Sequence, residues 1–229
     1  MRNTRIITLA LALAAALSMT AVATASAAPP ELVNKEGKEV VKKKFTGTAG
    51  KENTFETKSG EKVKCTGGSS SGEVTGLKTQ TVTNTFTGCS AISGLAKCKS
   101  NGASSGDISL KANAKLVFLD SESEEKVGVD LALPENVTIV CEALGVKETL
   151  TVKGSTLCTT TTELSETATI GCKESKGVQE FTEYEEGKER HKGVITETEG
   201  KGLKEFKFEQ SGLSSTNTLK FEEKVEIKK

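Results

Sequence analysis

The fold class is decided by one stretch, Lys126-Val127-Gly128-Val129-Asp130-Leu131-Ala132-Leu133. Its large apolar side chains recur at every second position, which is the period at which a β-strand places side chains on one face. Asp130 falls on the other face, where it would point to solvent and need no functional explanation. The stretch therefore predicts an antiparallel strand with one buried and one solvated face.

The same period recurs along the chain, in the sets Val82/Asn84/Phe86, Val137/Ile139/Cys141 and Leu219/Phe221/Val225/Ile227. Between such runs lie Gly-rich polar segments that suit turns, because glycine adopts the positive φ of tight hairpins. These predicted links are Thr66–Gly72, Ser100–Gly106, Glu185–Lys188 and Glu199–Gly202. No segment keeps an apolar helical stripe over three turns. The pattern predicts an all-β fold, an antiparallel sandwich or barrel of many short strands.

The N-terminus has the three parts of a secretory signal peptide. Arg2 and Arg5 precede an apolar run, Ile6–Leu17, and small residues lead to Ala25-Ser26-Ala27. We expect cleavage after Ala27. The alternative, a retained membrane anchor, is disfavoured because the apolar run is shorter than the about 20 residues that span a bilayer. The sequence thus predicts a secreted, extracellular or cell-surface protein.

Beyond residue 27 the sequence predicts a flexible lead-in, 28–40, and a single β-rich domain, 41–229. A more polar segment, Lys173–Gly202, could mark a subdivision near residue 175. Within it, Val178, Phe181, Val194 and Ile195 favour a solvent-facing hairpin instead.

All six cysteines lie after the predicted leader, and an even number in an exported chain predicts three disulfides. Six cysteines allow many pairings, and spacing does not decide among them. We expect Cys89–Cys98 and Cys158–Cys172 as local bridges, which leaves Cys65–Cys141 to join distant strands. No C-x-x-C motif occurs and His191 is the only histidine, so the sequence predicts no metal site.

The charge balance excludes several partner classes. The chain carries 31 basic and 31 acidic residues, and removal of the predicted leader leaves 29 and 31. Lys and Glu are interspersed, which predicts a solvated surface without a basic face for nucleic acid or anionic lipid. No glycine-rich phosphate loop occurs. We expect no cofactor, no nucleic-acid partner and no membrane span after cleavage, and the oligomeric state stays open.

Three short stretches carry a resemblance: Phe86-Thr87-Gly88-Cys89, Val127–Leu131 and Phe208–Ser214. They resemble a group of uncharacterised exported proteins of high-GC Gram-positive soil bacteria. The resemblance implies a secreted, β-rich bacterial domain. It carries no activity and no functional residues.

Two segments match the G-x-S-x-G pattern of serine hydrolases, Gly68–Gly72 and Gly102–Gly106. A triad would draw on Ser70 or Ser104, Asp107 or Asp120, and His191. Such a nucleophile needs a strand–turn–helix context, and no helical pattern follows either match. His191 sits among charged residues, so we expect it to be an exposed surface residue.

A glycosidase would need two facing carboxylates, but most Glu residues adjoin Lys, which is typical of surface pairs. The leader looks bacterial, so we expect the Asn136-Val137-Thr138 sequon to be incidental. The sequence therefore predicts no catalytic residue and no enzyme. The leading hypothesis is a non-enzymatic, secreted or envelope-associated β-domain that acts through surface binding or a structural role. The alternatives are a barrel-type carrier of a small apolar ligand and, third, an unrecognised extracellular hydrolase.

Overall fold

The computed structural model describes residues 30–120, 126–186, 189–193, 196–202 and 204–229. The predicted leader and its cleavage site lie outside the described residues.

Strands dominate the described chain, as the period-two pattern predicts, and helix is limited to one 3₁₀ turn, Ile92–Gly94. The strands, in chain order, are β1 (Glu31–Asn34), β2 (Lys44–Ala49), β3 (Asn53–Thr57), β4 (Lys62–Cys65), β5 (Gly67–Val74), β6 (Thr79–Thr87), β7 (Ser90–Ala91), β8 (Ala96–Ser100), β9 (Ile108–Asp120), β10 (Lys126–Ala132), β11 (Val137–Ala143), β12 (Val146–Lys153), β13 (Ser155–Thr160), β14 (Ser165–Cys172), β15 (Glu174–Ser175), β16 (Val178–Gln179), β17 (Glu183–Glu186), β18 (Glu189–Lys192), β19 (Glu197–Lys201) and β20 (Phe206–Lys228).

Eight of these strands close into an antiparallel ring, the lower half of a barrel. Around the ring the order is β2, β5, β6, β9, β10, β13, β14 and the C-terminal part of β20, which returns to β2. Full closure leaves no unpaired sheet edge in this half. Of the two predicted architectures, the structure is the barrel.

A second ring of eight strands forms the upper half. Its order is β3, β4, β7, β8, β11, β12, β19 and the N-terminal part of β20, which returns to β3. Most upper strands continue a lower one along the chain, as β2 runs into β3 and β4 into β5, whereas β15 to β18 come between β14 and β19. The two rings are therefore one long up-and-down barrel, whose strands are interrupted at the waist, and β20 runs through both halves unbroken.

Inward-facing side chains fill most of the barrel. In the lower half the rings of Phe45 and Phe221 pack with centroids 5.4 Å apart, beside Leu116 and Phe118. The upper core contains aliphatic residues, Phe86 and four half-cystines. At the waist, the Ser70 hydroxyl donates to the Asn84 side-chain oxygen at 2.6 Å. The interior is a packed core with a polar waist.

The first residues of the described chain are docked. β1 pairs with the C-terminal part of β20, and Leu32, Val33 and Val40 are all at most 4% exposed. The described part of the predicted lead-in is therefore docked on the barrel through these residues. Their apolar side chains are too few to show a strand period, and β1 pairs with a strand segment nearly two hundred residues later in the sequence.

The three disulfides are Cys65–Cys89, Cys98–Cys141 and Cys158–Cys172. The predicted Cys158–Cys172 pair is confirmed, whereas the predicted Cys89–Cys98 and Cys65–Cys141 pairs are wrong. The four upper cysteines form a row across the neighbouring strands β4, β7, β8 and β11. Cys65 and Cys141 are the ends of this row, too far apart to bond, so each pairs with its inner neighbour. Three disulfides indicate an oxidising environment.

One lower strand was predicted as a link. Gly67–Val74 is instead strand β5, and Ser70 faces the barrel interior. The segment forms a strand because its glycines let neighbouring strands pack closely against it. A Cβ on Gly72 would collide with the Phe45 ring and the Thr81 carbonyl. Gly72 therefore leaves room for the Phe45 side chain and does not form a turn.

The segment between β14 and β19 leaves the barrel wall and packs outside it. It contains the small β15–β16 pair and the β17–β18 hairpin, which agrees with the predicted hairpin, although residues 194 and 195 are outside the described part. Where the wall strand departs, the Gln179 side chain takes its place. It accepts from the Leu213 N–H at 3.0 Å and donates to the Leu213 carbonyl at 3.2 Å, as a neighbouring backbone would.

Candidate functional site

The upper end of the barrel carries an exposed apolar patch. Four aliphatic side chains form it, which we call the apolar tip: Ile92, Leu95, Leu144 and Val146. Leu95 is 74% exposed and Leu144 is 104% exposed, so both side chains stand almost free in solvent. Single exposed leucines are ordinary, and a group of exposed aliphatic side chains at one end of a barrel is a candidate interaction surface.

The barrel topology brings the tip together from two turns. β8 pairs with β11 so that Lys97 faces Glu142, and the same register continued upward places Leu95 beside Leu144. Both turns come at the same end because strands alternate in direction. Residues about fifty apart in sequence thus become neighbours.

Backbone geometry makes two of these side chains, those of Ile92 and Leu144, conformationally costly. Leu144 and Gly145 form a two-residue hairpin turn with φ of 51° and 80°. Ile92 also has a positive φ, 49°, which is unusual for a β-branched residue. Each non-glycine residue in this conformation costs about 1–2 kcal/mol. Asparagine would suit the Leu144 position better, so its apolar side chain is present at the expense of stability.

Three lysines beside the tip have no carboxylate partner. In the described residues, Glu142 pairs with Lys147 at 3.6 Å and Glu56 pairs with Lys62 at 2.9 Å. Lys64, Lys97 and Lys99 are among the exposed lysines of the described residues that form no salt bridge, and they lie on the outer face of β4 and β8. We call them the basic strip. Interspersed Lys and Glu in the sequence therefore leave a short run of unpaired lysines here, because the fold pairs the neighbouring acidic side chains with other lysines.

The residues of the predicted triads are dispersed. Ser70 is buried inside the barrel, whereas His191 is on the outer β17–β18 hairpin, stacked on Tyr184 at 5.2 Å between ring centroids. Ser104 and Asp107 belong to a loop before β9, and the hairpin contacts the far end of that strand, at Phe118. About ten strand residues, or roughly 33 Å, separate the two places. The side chain of Asp120 is outside the described part.

Asp130 is not the plain solvent-facing residue that its alternation predicts. It does face outward, but the β17–β18 hairpin covers this part of the wall, where Val117, Leu157 and Tyr184 pack together. Burial raises the pKa of the Asp130 carboxyl, while a hydrogen bond from Ser155 and the charge of Lys115 oppose that rise. One carboxyl oxygen, Oδ1, is buried without a hydrogen-bond partner. Sequence alone could not indicate this, because the covering hairpin lies fifty residues later.

Burial also raises the pKa of Glu148, which faces into the upper half of the barrel. A glycosidase needs two carboxyls that face one substrate. Asp130 and Glu148 lie on opposite faces of the wall and in different halves, so they do not form such a pair.

The barrel interior holds two small cavities, of about 50 Å³ in the lower half and about 90 Å³ in the upper half. Each is lined by one buried asparagine whose Oδ1 has no hydrogen-bond partner, Asn217 below and Asn53 above. Pockets for organic ligands usually measure about 300–1,000 Å³. Each cavity suits a few ordered waters near its asparagine better than a carried lipid.

In the described part of the chain, no group of three or more His, Cys, Asp or Glu side chains is arranged to hold a metal ion. Nor does any helix within those residues have the length and apolarity to cross a bilayer. Comparison with known proteins finds no matching family model, no matching curated protein and no matching solved structure.

Sequence reasoning missed the apolar tip altogether. The available signal was a pair of apolar residues placed where hairpin turns usually carry Asn, Asp or Gly. Ile92-Ser93-Gly94-Leu95 and Leu144-Gly145 both show it. Apolar residues at such turn positions are the signal that could have drawn attention to this end of the barrel.

Proposed function

We propose that this chain is a non-enzymatic, secreted or envelope-associated domain that binds a surface through the apolar tip. The observation that carries the proposal is Leu144, which is fully exposed and held at a positive φ that a leucine adopts at a cost. A leader with basic, apolar and A-x-A parts and three disulfides support export. The resemblance to exported bacterial proteins supports an envelope setting.

The rest of the molecule supports a binding role better than the alternatives. The candidate catalytic side chains are dispersed over the inside and outside of the barrel, which gives a hydrolase no support. The carrier hypothesis gains from the closed barrel, but the cavities are small for an apolar ligand. A closed, disulfide-linked barrel wall is suited to holding the apolar tip in a fixed position for binding.

Co-sedimentation with the envelope fraction of the producing cells tests the proposal. The protein from residue 28, which contains every strand of the barrel, should sediment with the fraction. The double variant Leu95→Ser/Leu144→Ser should lose at least tenfold in binding, because its docking side chains are gone.

The matched control is Leu164→Ser/Val178→Ser, which removes two aliphatic side chains exposed elsewhere on the barrel. It should bind as the unaltered protein does. Equal binding by the tip variant and the control would reject the tip as the docking surface.

A further inference from the structure

We propose that the surface bound by the apolar tip is an anionic lipid bilayer, which the tip enters while the basic strip contacts the headgroups. This inference rests on the proposed function and names its partner. It joins two independent features of the upper end, the displayed aliphatic side chains and the unpaired lysines.

The shape of the tip suits a fluid layer. Leu95 and Leu144 project from two adjacent turns at the end of the barrel, so they form a blunt protrusion and not a groove. A protruding pair of leucines can enter the boundary between headgroups and acyl chains, which deforms around it. A preformed protein partner would need a complementary pocket.

The basic strip is at the right height for headgroups. Lys97 is two strand residues below Leu95, or about 7 Å, and Lys99 is about 14 Å below. Lys64 is level with Lys97, since both pair with Ser90. The negative potential of a bilayer acts over about 8–10 Å at physiological salt. Lys64 and Lys97 therefore lie within that field when the tip is inserted, and Lys99 lies near its edge.

The same charges disfavour a second copy of this chain as the occupant. Two molecules meeting tip to tip would bring their basic strips together. Like charges so placed oppose association. An anionic layer is the complementary partner.

Vesicle co-sedimentation tests the inference, with the chain from residue 28 and vesicles of phosphatidylcholine alone or with about one third phosphatidylglycerol. Binding to the anionic vesicles should exceed binding to the neutral ones at least tenfold at 0.1 M salt. The excess should disappear at 1 M salt, where screening shortens the field to about 3 Å. Equal binding to both vesicles, or binding to neither, would overturn the inference.

Two sets of variants locate the contact. Leu95→Ser/Leu144→Ser should lower binding to the anionic vesicles about tenfold for each leucine. Replacing the basic strip by Gln should lower it about fivefold for each lysine close to the surface. The control replaces three exposed lysines of the lower half, Lys44, Lys111 and Lys220, and should leave binding unchanged. An equal loss in that control would reject the basic strip.

The outcomes separate this inference from the proposed function. Tip-dependent sedimentation with envelope but none with vesicles would overturn the lipid partner and leave surface binding intact. Vesicle binding that survives the leucine substitutions would overturn the inference and remove support for the tip in both proposals. All the substituted side chains are exposed, so thermal unfolding of each variant should match that of the unaltered protein within a few degrees.

Discussion

Leu144→Asn should make this protein more stable while it weakens surface binding. The Leu144 side chain is 104% exposed, so its removal sacrifices no buried contact. Its backbone has a φ of 51°, a conformation that costs a non-glycine residue about 1–2 kcal/mol and costs asparagine less. The change also creates Asn-Gly, the favoured pair for this two-residue turn. We expect a gain of about 0.5–1 kcal/mol in the free energy of unfolding.

Urea unfolding followed by circular dichroism measures this gain, and the melting temperature should rise by about 1–4 °C. The control is Leu95→Asn, which removes an equally displayed leucine from a residue whose φ is −76°. It should yield no gain, because no positive φ is relieved. A loss of more than about 0.5 kcal/mol in Leu144→Asn would refute the reasoning, since it would mean that Leu144 packs against its own chain.

Three further predictions follow from the wall of the barrel. Burial raises the pKa of Asp130, so the ionised carboxyl destabilises the fold at neutral pH. Asp130→Asn should therefore raise the melting temperature at pH 7. It should give no advantage at pH 3, where the carboxyl is neutral in the folded and the unfolded protein. The exposed change Glu135→Gln is its control, and an Asp130→Asn advantage that persists at pH 3 would contradict the argument. Gln179→Leu should cost about 2–4 kcal/mol in urea unfolding, because two part-buried backbone groups of Leu213 and the Lys173 carbonyl lose their partner; a loss below about 0.5 kcal/mol would show that water replaces the amide. Peptide mapping of the unreduced protein should find three bridges, Cys65–Cys89, Cys98–Cys141 and Cys158–Cys172. Any other pair would contradict the barrel register.

The period-two pattern predicts the strands because it depends only on neighbours in sequence. The alternation through Val127, Val129 and Leu131 places these three side chains in the lower core, as the pattern requires. Closure into a barrel depends on pairings such as β2 with β20, which join residues far apart in sequence. No local period carries that information, so the sequence pattern does not distinguish a sandwich from a barrel.

The errors share this origin. Cys89 and Cys98 do face each other across the β7–β8 hairpin, as their spacing suggests, but each has a second neighbour on an adjacent strand. A local prediction sees only the hairpin. The predictions of a turn at Gly68–Gly72 and of a solvent-facing Asp130 likewise rest on local composition. The neighbouring strands that enclose Ser70 and the hairpin that covers Asp130 come from elsewhere in the chain.

The unbroken strand β20 has a consequence for how the molecule is made. It forms one wall of both rings and pairs with β1, β2, β3, β14 and β19. Neither ring can close until residues 206–228 have been synthesised, and until then β2 and β14 are open edges in the lower ring and β3 and β19 in the upper ring. Topologies that depend on such distant pairing fold slowly, and open edges invite aggregation. Barrel closure therefore waits for β20, and the nascent chain exposes pairing edges until that strand has been made.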